Sequence, residues 1–356
     1  MNILILTGHF GMGHVCAANA ISQEILADVP SANVHLVDAI EYMYPHTKSL
    51  IYGQFNFMVK YCSGVYNFVN RLAGKYSDVP MKGEIIKKVE SLLREYQPDV
   101  IISTLPACSK YISAYKETTG SCLPLYTYIT DIAAHEEWIS SHTDMYFVGS
   151  DSTKNTLIAN GIPHEHIAVS GIPVNRHFKQ GCNVGTRSSQ SEILIMGGGL
   201  GLIPCVSKML AEMAQDKQLH VTIICGKNAR LKNKLTQKYP TVEVVGFTDK
   251  VAQYMQRADL LITKAGGITT FEAIYCHTPL YVCTPFLVQE VGNAEFIEQN
   301  NIGKVVWSKK TDIASDVLAL IKNTALLNMM KYNMCALQSR LCDRCVVKQL
   351  LADSYK

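Results

Sequence analysis

The sequence predicts an α/β protein with two Rossmann-like lobes, whose parallel sheets face a central cleft. Short apolar and β-branched runs alternate with helical stretches along all 356 residues, a pattern typical of parallel strands joined by crossover helices. The runs form two series of six, and a polar, turn-rich segment at residues 179–191 separates the series. Because ligands of open parallel sheets bind beyond the carboxyl ends of the strands, the cleft between the lobes is the expected active site.

The predicted strands are runs rich in Val, Ile and Leu, as expected for strands buried on both faces of a parallel sheet. In the first lobe they lie at residues 3–6, 34–37, 100–103, 125–129, 145–148 and 167–170. In the second lobe they lie at residues 193–196, 221–225, 242–245, 260–263, 280–283 and 304–306. We place the first lobe at residues 1–181 and the second at residues 182–330, with the boundary inside the polar segment.

Composition limits the classes of protein to consider. With 48% hydrophobic and 18% charged residues the chain is a packed globular protein. A formal charge of +3 without a Lys/Arg run gives no indication of nucleic-acid binding. Met1 and Asn2 lead directly into the first strand, and no apolar run reaches spanning length, so we expect a cytoplasmic protein without a transmembrane segment.

Twelve cysteines are scattered through predicted strands and helices, which is typical of reduced thiols used as small apolar side chains. The one C-x-x-C, from Cys342 to Cys345, has no second cysteine pair at zinc-site spacing. We therefore do not expect a metal or redox site there.

The segment from Lys264 to Glu272 carries the clearest chemical signal. It follows an apolar strand, and its glycines leave backbone amides free to approach a diphosphate at a helix N-terminus. These donors would come from Gly266, Gly267, Ile268 and Thr269. Glu272, one turn further on, would accept hydrogen bonds from ribose hydroxyls. The alternative is an ordinary glycine-containing turn followed by a solvated glutamate.

In the first lobe, the first strand leads into a glycine-containing loop that ends in Gly13 and His14. His14 falls at the start of a helix, whose positive end lowers the pKa of an imidazole and favours its neutral, proton-accepting form. We predict that His14 is the catalytic residue and that Gly13 lines the substrate site, whereas His9 is interpreted as a loop residue. The alternative for His14 is a structural histidine at a helix N-terminus.

A second polar group follows the fourth strand. Asp131 stands where it could orient His14, stabilise its charge or act as the base itself, and His135 is a candidate substrate contact. The sequence does not choose among these roles. In the alternative interpretation Asp131 caps the next helix and Trp138 belongs to the core.

Two further stretches of the second lobe suit a sugar nucleotide. Gly198 and Gly199 offer backbone amides without side chains at a strand end. Their segment lacks the G-x-G-x-x-G spacing of dinucleotide-binding proteins, and the next strand is not followed by an acidic residue. Both observations disfavour a nicotinamide-dependent enzyme. Gln289, Glu290 and Asn293 are hydrogen-bonding side chains suited to sugar hydroxyls. Their alternative is the polar surface of a helix start.

No acidic residue lies between Tyr42 and Tyr76, where lysines, arginine and aromatic residues alternate. Such a segment suits an anionic membrane surface, because cations are attracted to the headgroups and aromatic rings sit at the interface. The alternative is a pair of amphipathic helices that pack on the first lobe. The cationic residues are Lys48, Lys60, Arg71 and Lys75.

Taken together, these motifs resemble glycosyltransferase family 28, and within it the diacylglycerol glycosyltransferases that include the monogalactosyldiacylglycerol synthases. The resemblance covers nearly the whole chain. It implies a GT-B fold, inverting transfer from a UDP-sugar, no cofactor and no catalytic metal, and a C-terminal helix at residues 331–356 that packs back on the first lobe.

By position, the resemblance assigns roles to residues that match the family motifs. His14 corresponds to the catalytic residue, and Phe247 and Thr248 correspond to the edge of the uracil site. The assignments to diphosphate, ribose and sugar agree with those made above. One departure is that Asn175 stands where many members have an arginine, with Arg176 following it.

The resemblance implies transfer of a hexose from UDP-glucose or UDP-galactose to diacylglycerol or a glycosyl-diacylglycerol. We expect the protein to be cytoplasmic and peripheral on the inner face of the cell membrane. Three alternatives stay open: a family 28 transferase with another lipid or a soluble acceptor, an enzyme resembling UDP-sugar 2-epimerases, and a catalytically silent sugar-nucleotide-binding protein.

Overall fold

A computed structural model describes residues 1–61, 81–133, 136–180, 189–199, 201, 206–285, 287–308, 310–342 and 344–354. The chain forms two compact units. The first contains residues 1–175 together with 341–356, and the second contains residues 176–340.

The sheet of the first unit has six parallel strands in the order β2-β1-β3-β4-β5-β6. The predicted strands of this lobe are therefore confirmed as one parallel sheet. They are β1 (Asn2–Thr7), β2 (Asn33–Asp38), β3 (Val100–Ser103), β4 (Leu125–Tyr128), β5 (Met145–Val148) and β6 (Ile167–Val169).

Helices connect these strands on both faces of the sheet. They are α1 (Gly13–Asp28), α2 (Ala39–Met43), α3 (Lys48–Tyr61), α4 (Lys82–Tyr96), α5 (Pro106–Thr119) and α6 (Asp151–Ala159), with short 3-10 helices at Glu136–Trp138 and His164–His166. Alternate residues of β1 enter opposite cores, as the two-residue period of a strand requires. Ile3 packs with Ile21 of α1, whereas Leu4 packs on the other face with Val89 of α4.

The second unit repeats the architecture with the parallel order β12-β11-β10-β7-β8-β9. Its strands are β7 (Ser191–Met196), β8 (Leu219–Ile224), β9 (Glu243–Val245), β10 (Leu260–Thr263), β11 (Leu280–Val282) and β12 (Gly303–Val305). Its helices are α7 (Arg176–Lys179), α8 (Val206–Met213), α9 (Ala229–Lys238), α10 (Val251–Arg257), α11 (Gly267–Cys276), α12 (Val288–Gln299), α13 (Ile313–Lys322) and α14 (Thr324–Arg340). The predicted α/β class with two parallel sheets is thus confirmed.

After the second unit the chain returns to the first and forms α15 (Cys345–Ser354). Val346 and Leu350 of this helix are buried in the same core as Ile3 and Ile21. Arg344, just before the helix, lies 3.2 Å from the Asp28 carboxylate at the end of α1. The final helix therefore completes one side of the first core.

The cysteines differ from expectation at one place. Cys342 and Cys345 are joined by a disulfide, although the sequence suggested reduced thiols throughout. The three-residue separation at the start of α15 brings the two sulfur atoms together. The buried Cys108, Cys225 and Cys283 are not in disulfides and serve as small core residues, as expected.

Within the described ranges, no single helix is long and apolar enough to cross a membrane, and one bent pair, Ile313–Lys322 with Thr324–Asp353, reaches that standard only when its parts are combined. No group of three or more His, Cys, Asp or Glu residues in the same ranges is arranged to hold a metal ion.

Candidate active site

His14, the second residue of α1, is held by two partners on neighbouring strand ends. Its Nδ1 lies 2.7 Å from the carbonyl oxygen of Thr104 and 2.9 Å from the hydroxyl of Thr130. A carbonyl oxygen only accepts hydrogen bonds, so Nδ1 carries the proton. The other ring nitrogen, Nε2, has no partner among the residues described and is left as a proton acceptor.

The surroundings of His14 keep the imidazole neutral. Burial lowers its pKa below the ordinary 6.5, and this effect outweighs the Asp131 charge and the Thr104 hydrogen bond, which both raise the pKa. A neutral ring with a free Nε2 is the form that a general base needs. The pKa of His14 is thus shifted in the expected direction, although by burial and not by the helix end, and its catalytic role stays a prediction.

Asp131 lies close to His14 without bonding to it. Its Oδ2 accepts a hydrogen bond of 3.2 Å from the indole nitrogen of Trp138. Trp138 is completely buried, as the alternative interpretation required, and its ring centre lies 6.1 Å from that of His14. Of the roles considered for Asp131, this geometry favours stabilisation of the His14 charge over a hydrogen bond that orients the ring. His135 lies outside the described residues, and Gly13 is the first residue of α1.

In the second unit, α11 begins at Gly267 directly after the turn that follows β10. Gly266 is its N-cap and provides no side-chain cap, and its own amide donates to the Lys264 carbonyl at 2.8 Å, so this predicted donor is already used within the turn. The amides of Gly267, Ile268 and Thr269 lack intrahelical partners because they lie in the first turn of the helix. All four residues are partly exposed. The structure thus presents a set of amide donors at the positive end of a ten-residue helix.

Glu272 lies on the same helix. It is partly buried and, among the residues described, has no hydrogen-bond or ion-pair partner. Burial raises its pKa from 4.5 to about 7. A desolvated carboxyl group without a protein partner is costly to keep in the free protein. It would gain acceptor bonds if a ligand hydroxyl came within reach.

Two of the three predicted sugar contacts have partners in the protein. Glu290 is 2% exposed, and its Oε1 lies 3.0 Å from Nζ of Lys264. Asn293 is 1% exposed and donates a 3.0 Å hydrogen bond to the carbonyl of Ala265. Gln289 is partly exposed. Glu290 and Asn293 therefore brace the turn before α11, a function that sequence reasoning did not anticipate.

Two loops at the strand ends of the second unit, one with Gly198, Gly199 and Gly201 and the other with Gly226, lie in close contact. Gly201 has φ +63°, and a Cβ there would lie 2.1 Å from the carbonyl oxygen of Cys225. Gly226 has φ +55°, and its Cβ would lie 2.6 Å from the Gly199 oxygen. A side chain at Gly198, by contrast, would make only an ordinary 3.7 Å contact with Lys264, so Gly198 keeps open space beside that lysine.

The predicted uracil edge is accessible. Phe247 is 63% exposed, and Nζ of Lys227 lies 5.8 Å from the centre of its ring. Thr248 is partly exposed, and its hydroxyl accepts a 3.1 Å hydrogen bond from the backbone of Lys250. Arg176 is exposed at the start of α7.

Sequence reasoning missed Thr104 and the partnership of Lys264 with Glu290. Thr104 directly follows β3, so its position at a carboxyl strand end was a usable signal. The ion pair joins residues 26 positions apart, and no local pattern announces it.

Two family models match the chain. The model for monogalactosyldiacylglycerol (MGDG) synthase matches residues 14–174, and the model for the glycosyltransferase family 28 C-terminal domain matches residues 192–342. The chain is also 27% identical to the processive diacylglycerol beta-glucosyltransferase of Bacillus subtilis (strain 168), with 99% of this chain and 95% of the relative covered.

Solved structures show the same fold at low identity. Spinosyn rhamnosyltransferase SpnG, complexed with spinosyn aglycone, has a TM-score of 0.66 at 10% identity and covers 98% of this chain and 100% of its own. Anabaena Alr3699/HepE, in complex with UDP and glucose, has a TM-score of 0.56 at 15% identity and covers 100% and 99%. The two parallel sheets form a GT-B fold. Since the two family models together account for most of the chain, the protein is a glycosyltransferase that belongs to family 28 and has the N-terminal domain of the monogalactosyldiacylglycerol synthases.

Proposed function

We propose that this protein transfers a hexose, with inversion, from UDP-glucose or UDP-galactose to diacylglycerol or a glycosyl-diacylglycerol. The observation that carries the proposal is the geometry of His14, whose Nδ1 is fixed by Thr104 and Thr130 and whose Nε2 has no partner among the residues described, while burial lowers its pKa. The first unit would activate the acceptor hydroxyl, and the second unit would bind the donor. The similarity to the processive diacylglycerol beta-glucosyltransferase of Bacillus subtilis supports this acceptor.

In this mechanism Nε2 of His14 takes the proton of the acceptor hydroxyl as its oxygen attacks the anomeric carbon. The bond between that carbon and the diphosphate oxygen breaks, and UDP leaves with the electron pair. Direct attack from the face opposite UDP inverts the anomeric configuration. A single base is sufficient for this reaction, and the Asp131 charge stabilises the imidazolium that forms.

The donor side depends on α11 and Glu272. The free amides of Gly267, Ile268 and Thr269 and the positive helix end would stabilise the negative charge that develops on the departing diphosphate. Glu272, to which no residue in the described part of the chain donates a hydrogen bond, would accept hydrogen bonds from the ribose hydroxyls. HepE, whose structure contains UDP and glucose, is consistent with a uridine donor.

The cationic and aromatic segment between Tyr42 and Tyr76 is described as far as residue 61, and this part presents exposed apolar side chains that could contact a membrane. Leu50 and Phe57 of α3 are 61% and 58% exposed, seven residues apart and thus on one side of the helix. Lys48 is paired with Glu41. The rest of the segment, including Arg71 and Lys75, lies outside the described residues. We propose peripheral contact with an anionic inner membrane face.

The test is incubation with radiolabelled UDP-glucose or UDP-galactose and diacylglycerol in anionic vesicles, followed by lipid extraction. We expect label in the organic phase and a product whose anomer is opposite to that of the donor. His14→Ala should lower this label at least about a hundredfold, whereas His164→Ala, at an exposed histidine of the same unit, should not change it. Label that stays in the aqueous phase with every lipid tested would overturn the lipid acceptor.

A further inference from the structure

A hydrogen-bonded cluster holds the loop before His14, and the proposed mechanism makes no use of it. The Tyr52 hydroxyl of α3 lies 2.6 and 2.7 Å from the two carboxylate oxygens of Asp38 at the end of β2. The same hydroxyl accepts a 3.0 Å hydrogen bond from the backbone N–H of His9. The His9 ring completes the cluster, because its Nδ1 lies 2.5 Å from Asp38.

Ring packing reinforces these hydrogen bonds. Phe10 lies edge to face against Tyr52 and against Phe55, both with ring centres 5.1 Å apart. At Gly8 a Cβ would come within 3.0 Å of Leu105 and 3.4 Å of the Tyr52 hydroxyl. The loop at residues 8–12 is therefore pressed closely against α3 on one side.

Where the loop joins α1 the helix start has no side-chain cap, although Phe10 also packs against the apolar cluster that contains Leu6 and Leu105. The N-cap of α1 is Met12, which makes no side-chain cap hydrogen bond, and Gly11 has φ +80°. A helix start without a cap is held by its surroundings. Here the surroundings are Thr104 and Thr130 on the ring of His14 and the Tyr52 cluster on the preceding loop.

Asp38 and Tyr52 keep the protonation states that their hydrogen bond needs. Burial alone would raise the pKa of Asp38, but hydrogen bonds from Tyr52, from the backbone of Glu41 and from His9 together lower it. Burial and the same carboxylate raise the pKa of Tyr52. The carboxylate thus stays charged and the phenol stays a neutral donor, so the hydrogen bond persists across the working pH range.

We propose that Tyr52 is a positioning residue for His14, because it ties the loop that leads into α1 to α3 through Asp38 and the His9 backbone. The inference rests on the proposed role of His14 as the base. Removal of the hydroxyl leaves the His9 amide without its partner and loosens the loop. The imidazole then becomes better hydrated and is presented less accurately to the acceptor.

The test is Tyr52→Phe, which keeps the ring packed on Phe10 and removes only the hydroxyl. The matched control is Tyr42→Phe, because Tyr42 also donates to a carboxylate of the same unit, Glu95, at 3.0 Å. We expect Tyr52→Phe to lower kcat for the lipid acceptor about tenfold or more, with KM for the UDP-sugar changed less than twofold. The control should retain nearly normal kcat.

A second readout separates positioning from general destabilisation. In Tyr52→Phe the pKa of His14 should rise toward 6.5, since hydration relieves the effect of burial while Asp131, Thr104 and Thr130 remain around the ring. The acidic limb of the pH–rate profile should then move to higher pH, and NMR titration of the His14 ring in the full chain should show the same shift. A merely structural loss would lower the melting temperature without moving this pKa.

The outcomes distinguish this inference from the proposed function. If the unmodified protein transfers no sugar to lipid, the proposed function fails, and the NMR titration still decides whether Tyr52 controls His14. If the unmodified protein is active, kcat within twofold of normal in Tyr52→Phe, or an equal loss in Tyr42→Phe, overturns the positioning role. An unmoved His14 pKa overturns it as well.

Discussion

Replacing Glu272 by glutamine should stabilise the free protein at neutral pH while weakening its binding of uridine nucleotides. The carboxyl group is partly buried without a partner among the residues described, and burial raises its pKa from 4.5 to about 7. Because the folded state holds this proton more tightly than the unfolded state, the favourable contribution is complete below pH 4.5. It is lost as pH rises through about 7.

The size of the effect follows from the two pKa values. At about 1.4 kcal/mol per pH unit, the difference between 4.5 and about 7 corresponds to an upper limit of about 3 to 4 kcal/mol above pH 7. Glu272 is partly exposed, so solvent screening reduces this figure. Glutamine carries no charge at any of these pH values and escapes the loss. For a unit of this size, each kcal/mol raises the melting temperature by roughly 2–4 °C.

The assay is thermal unfolding of the unmodified protein and Glu272→Gln at pH 5 and pH 8, together with titration by UDP. The variant should gain a few degrees at pH 8 and about a quarter of that gain at pH 5. Its affinity for UDP should fall about tenfold or more with the loss of a charged acceptor. Glu295→Gln, an exposed carboxylate on α12, is the control and should change neither quantity.

Two results would refute this reasoning. A stability difference that is independent of pH would show that Glu272 does not titrate near 7 in the folded state. Normal UDP affinity in Glu272→Gln would remove the residue from the ribose site, even if the stability prediction holds.

Three other predictions follow from the site. His14→Ala should lower kcat at least about a hundredfold and leave UDP affinity, measured by calorimetry, nearly unchanged. In the unmodified protein the acidic limb of the kcat/KM profile should lie below pH 6.5, since burial lowers the His14 pKa. A limb above that value would contradict a buried neutral base. Gly201→Ala should destabilise the second unit by about 2 kcal/mol or more in urea unfolding, because the new Cβ would lie 2.1 Å from a carbonyl oxygen and φ is +63°. The control is Gly120→Ala, which also has positive φ but no atom near the new Cβ, and which therefore measures the cost of the dihedral angle alone. Glu290→Gln and Lys264→Met should show a coupling of about 1 kcal/mol in a double-mutant cycle, and strictly additive effects would deny the ion pair a role in stability.

The sequence predicted the strands well because each lies in a buried run that leaves little ambiguity. β1 and β10, for example, were each located to within a residue at either end. The amide donors before α11 were also predictable, since glycines directly after a strand have few other uses. Their roles in binding remain predictions.

Long-range partners could not be predicted from local pattern. Thr104 reaches His14 across 90 residues, and Tyr52 reaches Asp38 from a helix that the sequence assigned either to a membrane surface or to packing on the first lobe, without indicating this partner. Such contacts depend on which strands lie side by side in the sheet, since strand order decides which loops meet at its edge, and on the path that each loop takes there. Hydrophobic periodicity reports burial along one element and is silent about these pairings.

The return of α15 to the first unit has a consequence for biosynthesis. Val346 and Leu350 fill the core beside Ile3, yet the ribosome makes them only after all of residues 176–340. The second unit is therefore an insertion that can fold during translation. The first unit, although most of it is synthesised earlier, keeps part of its apolar core exposed until α15 has been made. Chaperone dependence of the nascent chain should accordingly be concentrated in that interval, and it should end when the last helix emerges.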